Sequence, residues 1–354
     1  MTDMLLQCLS SQDLSWLRSA GKLVKLPAGK PLSHLPQAFE SVYLIINGRC
    51  TIAPDRLEHS ERNPLAKFLM EISSGNMLGL FLDQAFDLKQ IYAIDEVCLW
   101  AIPQATFHQK IKDDTSFAAH IYQANVLMVI HQFRSLEQQN RSQFISEYQP
   151  KRTSVMVFSE LQDSDLNWLI NVGKVQSIAE NAQLLQPGQP IDNLHFVLDG
   201  ALAIQGSREA RSPLLQAFGS DKTEALTTPG EELARLSRGD VLGEMSCVNA
   251  SPLNFTVTAV RETKVISIPK WRVAAKLHHD VEFASRFYRM LMRLLQDQQA
   301  SMIQQIASIE SSIESSDDTE DRDFLNKISL AEARFAWMLK RIQTELGMGR
   351  ELQW

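Results

Sequence analysis

Cysteine clusters and long apolar runs are both missing from this sequence of 354 residues. The four cysteines, Cys8, Cys50, Cys98 and Cys247, lie far apart and form no C-x-x-C or Cys/His ligand spacing. No apolar run reaches the roughly 18 residues that span a bilayer, and the first residues do not resemble a secretory signal peptide. We therefore expect a cytoplasmic protein with reduced thiols, no structural metal and no direct membrane span.

Motifs of the common enzyme classes are missing as well. The chain contains neither the H-E-x-x-H pattern of zinc proteases, nor the G-x-S-x-G pattern of hydrolases, nor a glycine-rich loop for nucleoside phosphates. Its net charge of -7 opposes binding to DNA, whose phosphates attract clusters of Lys and Arg. The sequence predicts a protein that is not an enzyme, uses no cofactor and binds no DNA.

What the sequence does contain is an internal repeat. The segment 13–17, Asp-Leu-Ser-Trp-Leu, recurs at 165–169 as Asp-Leu-Asn-Trp-Leu, an offset of 152 residues. The same offset relates 42–48 to 194–200, and each of these β-rich runs ends in a glycine. Later segments repeat at offsets of 164 and 166, so the second copy carries 12 extra residues in a loop around 208–232. The repeat and the chain length predict two copies of one fold.

Each copy begins with a helix pattern, continues as short β-rich runs separated by glycine turns, and ends in a long helix pattern. Short strands with closely spaced turns are typical of a small barrel or jelly roll, and βαβ alternation is missing from the pattern. The predicted fold class is mainly β with helices: two tandem β-roll (jelly-roll) domains plus long connecting and C-terminal helices. The predicted segments are a first β-roll at 1–113, a connecting helix at 114–150, a second β-roll at 151–282, a long helix at 283–313, an acidic linker at 314–323 and a terminal amphipathic helix at 324–354.

The second copy carries a motif at 243–259, Gly-Glu-Met-Ser-Cys-Val-Asn-Ala-Ser-Pro-Leu-Asn-Phe-Thr-Val-Thr-Ala. It resembles the phosphate-binding cassette of cyclic-nucleotide-binding domains, found in catabolite activators, kinase regulatory subunits and gated channels. The resemblance implies a cyclic-nucleotide-binding-type β-roll in which Glu244 accepts from the ribose hydroxyl and an Arg at position 253 pairs with the cyclic phosphate. Residues of the candidate pocket are Gly243, Glu244, Met245, Ser246, Leu253, Asn254 and Thr256.

Neither copy has an arginine at the phosphate-pairing position. Position 253 is a leucine, and in the shorter first cassette, which begins at Gly79 and Leu80, the aligned residue is Asp87. Burying a phosphate without a paired cation is costly, and a carboxylate would repel it. We therefore expect neither cAMP nor cGMP to bind, and we interpret the first copy as a degenerate domain.

A resemblance that covers nearly the whole chain is carried by residues 188–192, 243–246 and 275–288. With these motifs the sequence is similar to tandem cyclic-nucleotide-domain proteins of cyanobacteria associated with bacteriocin-type export operons. This similarity implies a role beside a transport or secretion system.

The helices after the second copy carry apolar stripes. Within 302–313 the stripe predicts a coiled-coil seam, which packs either on the chain's own domain or on a partner helix. The terminal helix has an apolar face that must dock on this chain, on a second copy or on another protein. We interpret that face as an interaction helix whose residues are Phe335, Trp337, Met338 and Ile342.

These features lead to two functional hypotheses. In the first, the chain is a non-enzymatic regulatory or scaffolding protein whose degenerate domains and C-terminal helices mediate self-association or binding to a protein partner. In the alternative, the second β-roll senses a cyclic nucleotide or another small ligand and moves the helix that follows it. Leu253 and Asp87 favour the first hypothesis, whereas Gly243, Glu244 and Thr256 favour the second.

Overall fold

The structure is a computed structural model that describes residues 2–36, 38–52, 70–80, 90–139, 157–206, 231–244, 255–310 and 322–345. The chain forms two compact units. The first comprises Met1–Gln143 and Asp280–Asp317, and the second comprises Phe144–His279 and Asp318–Trp354. Within the described ranges, no helix is long and apolar enough to cross a membrane.

The helices open and close each repeat, as the sequence pattern predicts. The α-helices of the described residues are α1 (Thr2–Cys8), α2 (Ser11–Ala20), α3 (Gln104–Asp113), α4 (Thr115–Gln139), α5 (Val157–Glu160), α6 (Asp163–Val172), α7 (Lys270–His279), α8 (Val281–Glu310) and α9 (Arg322–Glu345). Short 3-10 helices lie at Leu32–His34 and Ala38–Glu40.

Between these helices the strands form two sets that repeat each other. The strands of the first unit are β1 (Lys22–Leu26), β2 (Ser41–Asn47), β3 (Arg49–Ile52), β4 (Met70–Ser73), β5 (Met77–Leu78), β6 (Ile91–Ala93) and β7 (Val97–Pro103). Those of the second are β8 (Lys174–Ile178), β9 (Gln183–Leu185), β10 (Asn193–Asp199), β11 (Ala201–Gly206), β12 (Glu231–Ser237), β13 (Val241–Leu242), β14 (Phe255–Ala259) and β15 (Thr263–Pro269).

Each unit contains two antiparallel sheets with equivalent strand orders. In the first unit the orders are β1-β7-β2-β5 and β4-β3-β6, and in the second they are β8-β15-β10-β13 and β12-β11-β14-β9. An isolated bridge between Pro31 and Tyr92 takes the place that the β9–β14 pairing has in the second unit. The predicted fold class, two tandem β-rolls with flanking helices, is confirmed.

Equivalent backbone hydrogen bonds are formed in the two rolls. The amide of Ile45 donates to the carbonyl of Asn76 at 2.9 Å, and the equivalent amide of Val197 donates to the carbonyl of Asp240 at 2.9 Å.

Gly200, which follows β10, has a φ of 98°, and a Cβ there would lie 2.7 Å from the carbonyl oxygen of Glu262. Only glycine fits such a turn without strain, so the glycine that ends each β-rich run in the sequence has a structural cause.

The repeated Asp of the Asp-Leu-x-Trp-Leu motif lies in the first turn of a helix in both units. Asp13 accepts from the amide of Ser10 at 2.7 Å, and Asp165 accepts from the amide of Gln162 at 2.8 Å. Each carboxylate satisfies a donor at a helix N-terminus, where its negative charge is also favourable. The motif therefore marks the starts of α2 and α6.

Inside the second roll the two sheets enclose an apolar core. Its buried members are Ile178, Leu185, Ile191, Val197, Leu202, Leu236, Leu242, Val257, Ala259 and Val265. Burial of aliphatic side chains stabilises a fold by about 1.5–3 kcal/mol for each of the larger ones. This cluster is therefore a main source of stability of the roll.

The two long C-terminal helices return to different units. Helix α8 packs along α4 in the first unit, where Phe283, Phe287 and Leu291 are fully buried. Helix α9 packs against α5 and α6 in the second unit. The chain thus alternates between the units, an arrangement that the sequence pattern did not predict. The coiled-coil seam at 302–313 stays a prediction, because its side chains lie outside those described.

Candidate functional site

The cassette of the second roll begins at a strained turn directly after β13. Gly243 has a φ of 92°, and a Cβ there would lie 2.6 Å from the carbonyl oxygen of Asn193. Glu244 follows and is 8% exposed, so the site begins with a buried carboxyl group. The predicted pocket residues Met245, Ser246, Leu253 and Asn254 lie outside the described residues.

Thr256 lies on β14, where the cassette returns to the sheet. It pairs with Gln205 of β11, and the hydroxyl of Thr258 donates to the side-chain oxygen of Gln205 at 3.3 Å. Val257, between the two threonines, belongs to the apolar core, so both threonine side chains lie on the face of β14 that points away from that core.

A polar cluster that the sequence reasoning missed lies on the inward face of the same roll. His195 has the orientation of Val197, a core residue two positions along β10, and is 3% exposed. Its Nδ1 lies 2.8 Å from the hydroxyl of Ser267, which also accepts from the amide of Gln176 at 3.0 Å. Among the described residues, Nε2 of His195 has no hydrogen-bond partner.

Burial also changes the protonation of this histidine. Loss of solvation disfavours the charged imidazolium and lowers the pKa of His195 from 6.5 to about 4. The ring is therefore neutral at physiological pH, with one nitrogen bonded to Ser267. The only sequence signal for the cluster is a comparison of the copies, since Tyr43 occupies the equivalent position of the first roll.

The first cassette begins with the same turn but without the carboxyl group. Gly79 follows β5 with a φ of 77°, and Leu80 is 4% exposed. The carbonyl oxygen of Leu80 lies 3.3 Å from Nε2 of His108. A buried leucine therefore occupies the place of Glu244. Asp87 lies outside the described residues.

Most of the face interpreted as an interaction helix is internal to the second unit. Phe335, Met338 and Ile342 are 5%, 2% and 3% exposed, and the ring of Phe335 lies 4.9 Å from that of Phe158 on α5. The sequence left open whether this face docks on this chain, on a second copy or on another protein. In the structure these three side chains pack on this chain. Trp337 is 37% exposed and is the member of the set that stays accessible.

The described part of the chain holds no group of three or more His, Cys, Asp or Glu side chains that could bind a metal ion. Burial raises the pKa of the Cys50 thiol to about 12 and that of Cys8 to about 11, so both thiols are protonated at neutral pH. A protonated thiol is a poor nucleophile and a poor metal ligand. The buried environment of these two cysteines therefore suits packing rather than thiol chemistry.

Comparison with known proteins agrees with this geometry for the second unit. Residues 175–280 match the family model of the cyclic nucleotide-binding domain. No curated protein sequence matches the chain.

Several solved structures are similar to the chain. The regulatory domain of Toxoplasma gondii PKA with cAMP is 16% identical, with 79% of this chain and 89% of that chain covered and a TM-score of 0.27. The regulatory subunit of a cAMP-independent protein kinase A from Trypanosoma brucei is 12% identical, with 79% and 93% covered and a TM-score of 0.27. A cyclic nucleotide-binding domain from Methylobacillus flagellatus is 16% identical, with 47% and 87% covered and a TM-score of 0.34.

At these identities and scores the similar structures say nothing of the ligand. The family match over 175–280 and the strand order of the second unit together assign the fold. The second unit contains a cyclic nucleotide-binding domain.

Proposed function

We propose that the chain is a non-enzymatic regulatory protein whose two β-rolls serve protein–protein assembly and do not bind cyclic nucleotides. The observation that carries the proposal is the residue at the phosphate-pairing position of each cassette, Leu253 in one and Asp87 in the other. A cyclic phosphate has a full negative charge, and its burial requires a charge-assisted partner such as the arginine fork. Neither leucine nor aspartate supplies one.

Glu244 does not replace that arginine. It retains the carboxyl group that the resemblance pairs with the ribose hydroxyl, and a carboxylate supplies no positive charge for a phosphate. The core of the roll consists of aliphatic side chains. The recognisable cassette is thus explained as a retained turn of the fold, with Gly243 required by the approach of the Asn193 carbonyl.

Titration calorimetry tests the proposal directly. We expect no saturable heat when cAMP or cGMP is added to the full chain at micromolar concentrations. The variant Leu253→Arg is the matched comparison, because it restores the guanidinium to an otherwise unchanged cassette. Binding by the variant alone would assign the loss to residue 253, whereas a micromolar isotherm from the unmodified chain would contradict the proposal.

A sensor for an uncharged polar ligand is the second candidate function. It is favoured by one observation, the buried Nε2 of His195 that has no hydrogen-bond partner among the described residues. A buried polar nitrogen without a partner costs about 1–3 kcal/mol, which a ligand hydroxyl or carbonyl would offset. A screen of thermal shifts with nucleosides and sugars tests it, since a ligand at this site must stabilise the wild type more than His195→Phe.

A setting beside a transport or secretion system, with self-association or an unidentified protein partner, rests on the sequence resemblance and on the C-terminal helices. Light scattering at tens of micromolar reports self-association. Co-purification from the source reports a partner. A strictly monomeric chain that retains no partner would contradict the assembly role.

A further inference from the structure

Helix α7 of the second unit exposes a tryptophan to solvent. Trp271 is 67% exposed, the largest value among the exposed large hydrophobic side chains of the described residues. The helix is anchored by Val273, which is 1% exposed, on the opposite side of the helix. Trp271 therefore contributes little to the stability of its own unit and is available for contact with another molecule.

The exposed face of α7 is also basic. The helix contains Lys270, Arg272, Lys276, His278 and His279 and no acidic residue, in a chain whose net charge is -7. The guanidinium of Arg272 lies 5.0 Å from the centre of the Trp271 ring. Lys276 lies 5.9 Å from the ring of Trp168. Within the described residues, no ion pair involves Lys270 or Arg272.

The equivalent helix of the first unit shows that the fold does not require this face. At the repeat offset of 166, Trp271 and Arg272 correspond to Ala105 and Thr106 of α3. One structural contact of the helix is retained in both copies: Lys110 lies 5.7 Å from the centre of the Trp16 ring, and Lys276 lies 5.9 Å from that of Trp168. The aromatic and cationic pair is therefore an addition specific to the second unit.

We propose that this α7 face, formed by Trp271, Arg272, Ala274, Ala275, His278 and His279, binds a carboxylate-rich segment of a protein partner. The proposal rests on the proposed assembly function and names the chemistry of the partner. Trp and Arg are among the side chains most enriched in residues that dominate binding energy at protein interfaces. The carboxylates pair with the fork of Arg272, and an apolar side chain of the segment covers the ring of Trp271.

Shape favours an acidic polypeptide over an anionic membrane as the occupant. One large apolar side chain on a ten-residue helix gives little insertion into lipid. Ala274 and Ala275 are both exposed beside Trp271, so the face has a low region between its large side chains. A backbone segment with carboxylate side chains fits there.

Fluorescence anisotropy with a labelled peptide tests the proposal on the full chain. The probe is a synthetic peptide with the sequence of residues 311–321, which contains Glu314, Asp317, Asp318, Glu320 and Asp321. A second peptide has Gln and Asn in place of these residues. We expect saturable binding of the acidic peptide alone, weakened by added salt because the pairs are exposed.

Substitutions locate the site. We expect Trp271→Ala and Arg272→Ala each to weaken the binding at least about tenfold, which corresponds to the loss of one dominant interface residue. Two controls should bind as the wild type does: Arg235→Ala, which removes an exposed arginine of the same unit, and Phe39→Ala, which removes an exposed aromatic ring of the other. Equal binding by all variants would overturn the proposal.

Other occupants give different results. Binding to phosphatidylserine vesicles that depends on Trp271, without binding to the acidic peptide, would overturn the proposal in favour of a membrane. Self-association that is lost in Trp271→Ala, again without peptide binding, would overturn it in favour of an apolar contact with a second copy. The calorimetric result with cAMP is independent of all these measurements, so the failure of the proposed function and that of the α7 site can be told apart.

Discussion

At position 195 the second roll buries a histidine where the first buries Tyr43, and this difference has a measurable consequence for pH dependence. Burial lowers the pKa of His195 to about 4, below the 6.5 of an exposed imidazole. Unfolded chains therefore bind a proton between these values that the folded chain does not bind. The contribution of His195 to stability is complete above pH 6.5 and is lost as the pH falls towards 4.

Urea unfolding at several pH values measures this effect. Over the full window we expect the wild type to lose on the order of 3 kcal/mol through His195 relative to the variant His195→Gln. Above pH 7 the difference between the two proteins should be constant, since neither side chain takes up a proton there. Parallel pH profiles for the two proteins would show that the ring is solvated in solution.

A second prediction at the residue scale concerns the cassette turn. Gly243→Ala places a Cβ 2.6 Å from the Asn193 oxygen at a φ of 92°, so we expect it to lower the free energy of unfolding by about 2–4 kcal/mol. Gly188→Ala is the control, because Gly188 has a φ of 78° but no heavy atom near its Cβ position. Gly188→Ala should lower the free energy of unfolding by about 1 kcal/mol, because only the positive φ is unfavourable for a residue with a side chain. Similar costs for both would mean that the turn relaxes.

At the element scale, helix α9 is held by an aromatic contact and by polar contacts. Phe335 packs on Phe158, and the guanidinium of Arg334 donates to the carbonyl of Ser159 at 2.8 Å. The latter contact satisfies an orphan carbonyl in α5, a helix of one turn. The helix therefore contributes both apolar burial and a cap to the second unit.

The cost of removing the aromatic contact can be compared along one helix. Phe335→Ala should destabilise the protein by about 3–5 kcal/mol, the usual cost of emptying a buried aromatic site. Trp337→Ala, two residues away and 37% exposed, should change stability by less than about 1 kcal/mol. Chemical denaturation of both variants measures the difference. A small effect of Phe335→Ala would mean that α9 does not stabilise its own unit and is instead available to bind a partner.

Comparison of the elements shows which parts of the fold the sequence predicts. The repeat predicts equivalent helices and strands correctly, because local signals such as Asp13 at a helix start and Gly200 at a turn act within a few residues. The apolar stripes of α8 and α9 predict that these helices are buried. They do not predict which element each helix packs against, since an apolar helix face can pack on many other apolar surfaces. Packing of α8 on α4 depends on contacts far apart in the sequence.

The candidate site was less accessible to sequence reasoning than the fold. Gly243 and Glu244 are recognisable because a motif surrounds them, and the structure places them directly after β13. His195, Ser267 and Gln176 come from three different strands, and no spacing in the sequence connects them. The exposure of Trp271 likewise depends on the whole fold, since helix periodicity alone does not distinguish it from a core residue.

For the whole molecule, the return of α8 to the first unit predicts that the first roll is incomplete without the end of the chain. A fragment of residues 1–279 lacks α8, so the apolar face of α4 that packs on α8 is exposed. We expect this fragment to aggregate or to melt without cooperativity, in contrast to the full chain. Co-expression of residues 280–354 should restore a soluble species. A fragment that is soluble and melts cooperatively by circular dichroism would contradict the prediction.

The alternation of the chain between its units also sets an order on the ribosome. Domains usually fold as they emerge, the N-terminal one first. Here the first unit must wait for α8, which is made only after the whole second β-roll, and the second unit must then wait for α9. During that interval the nascent chain presents the bare side of α4, a surface that chaperones recognise. Slowing translation should therefore harm rather than help the yield of this protein.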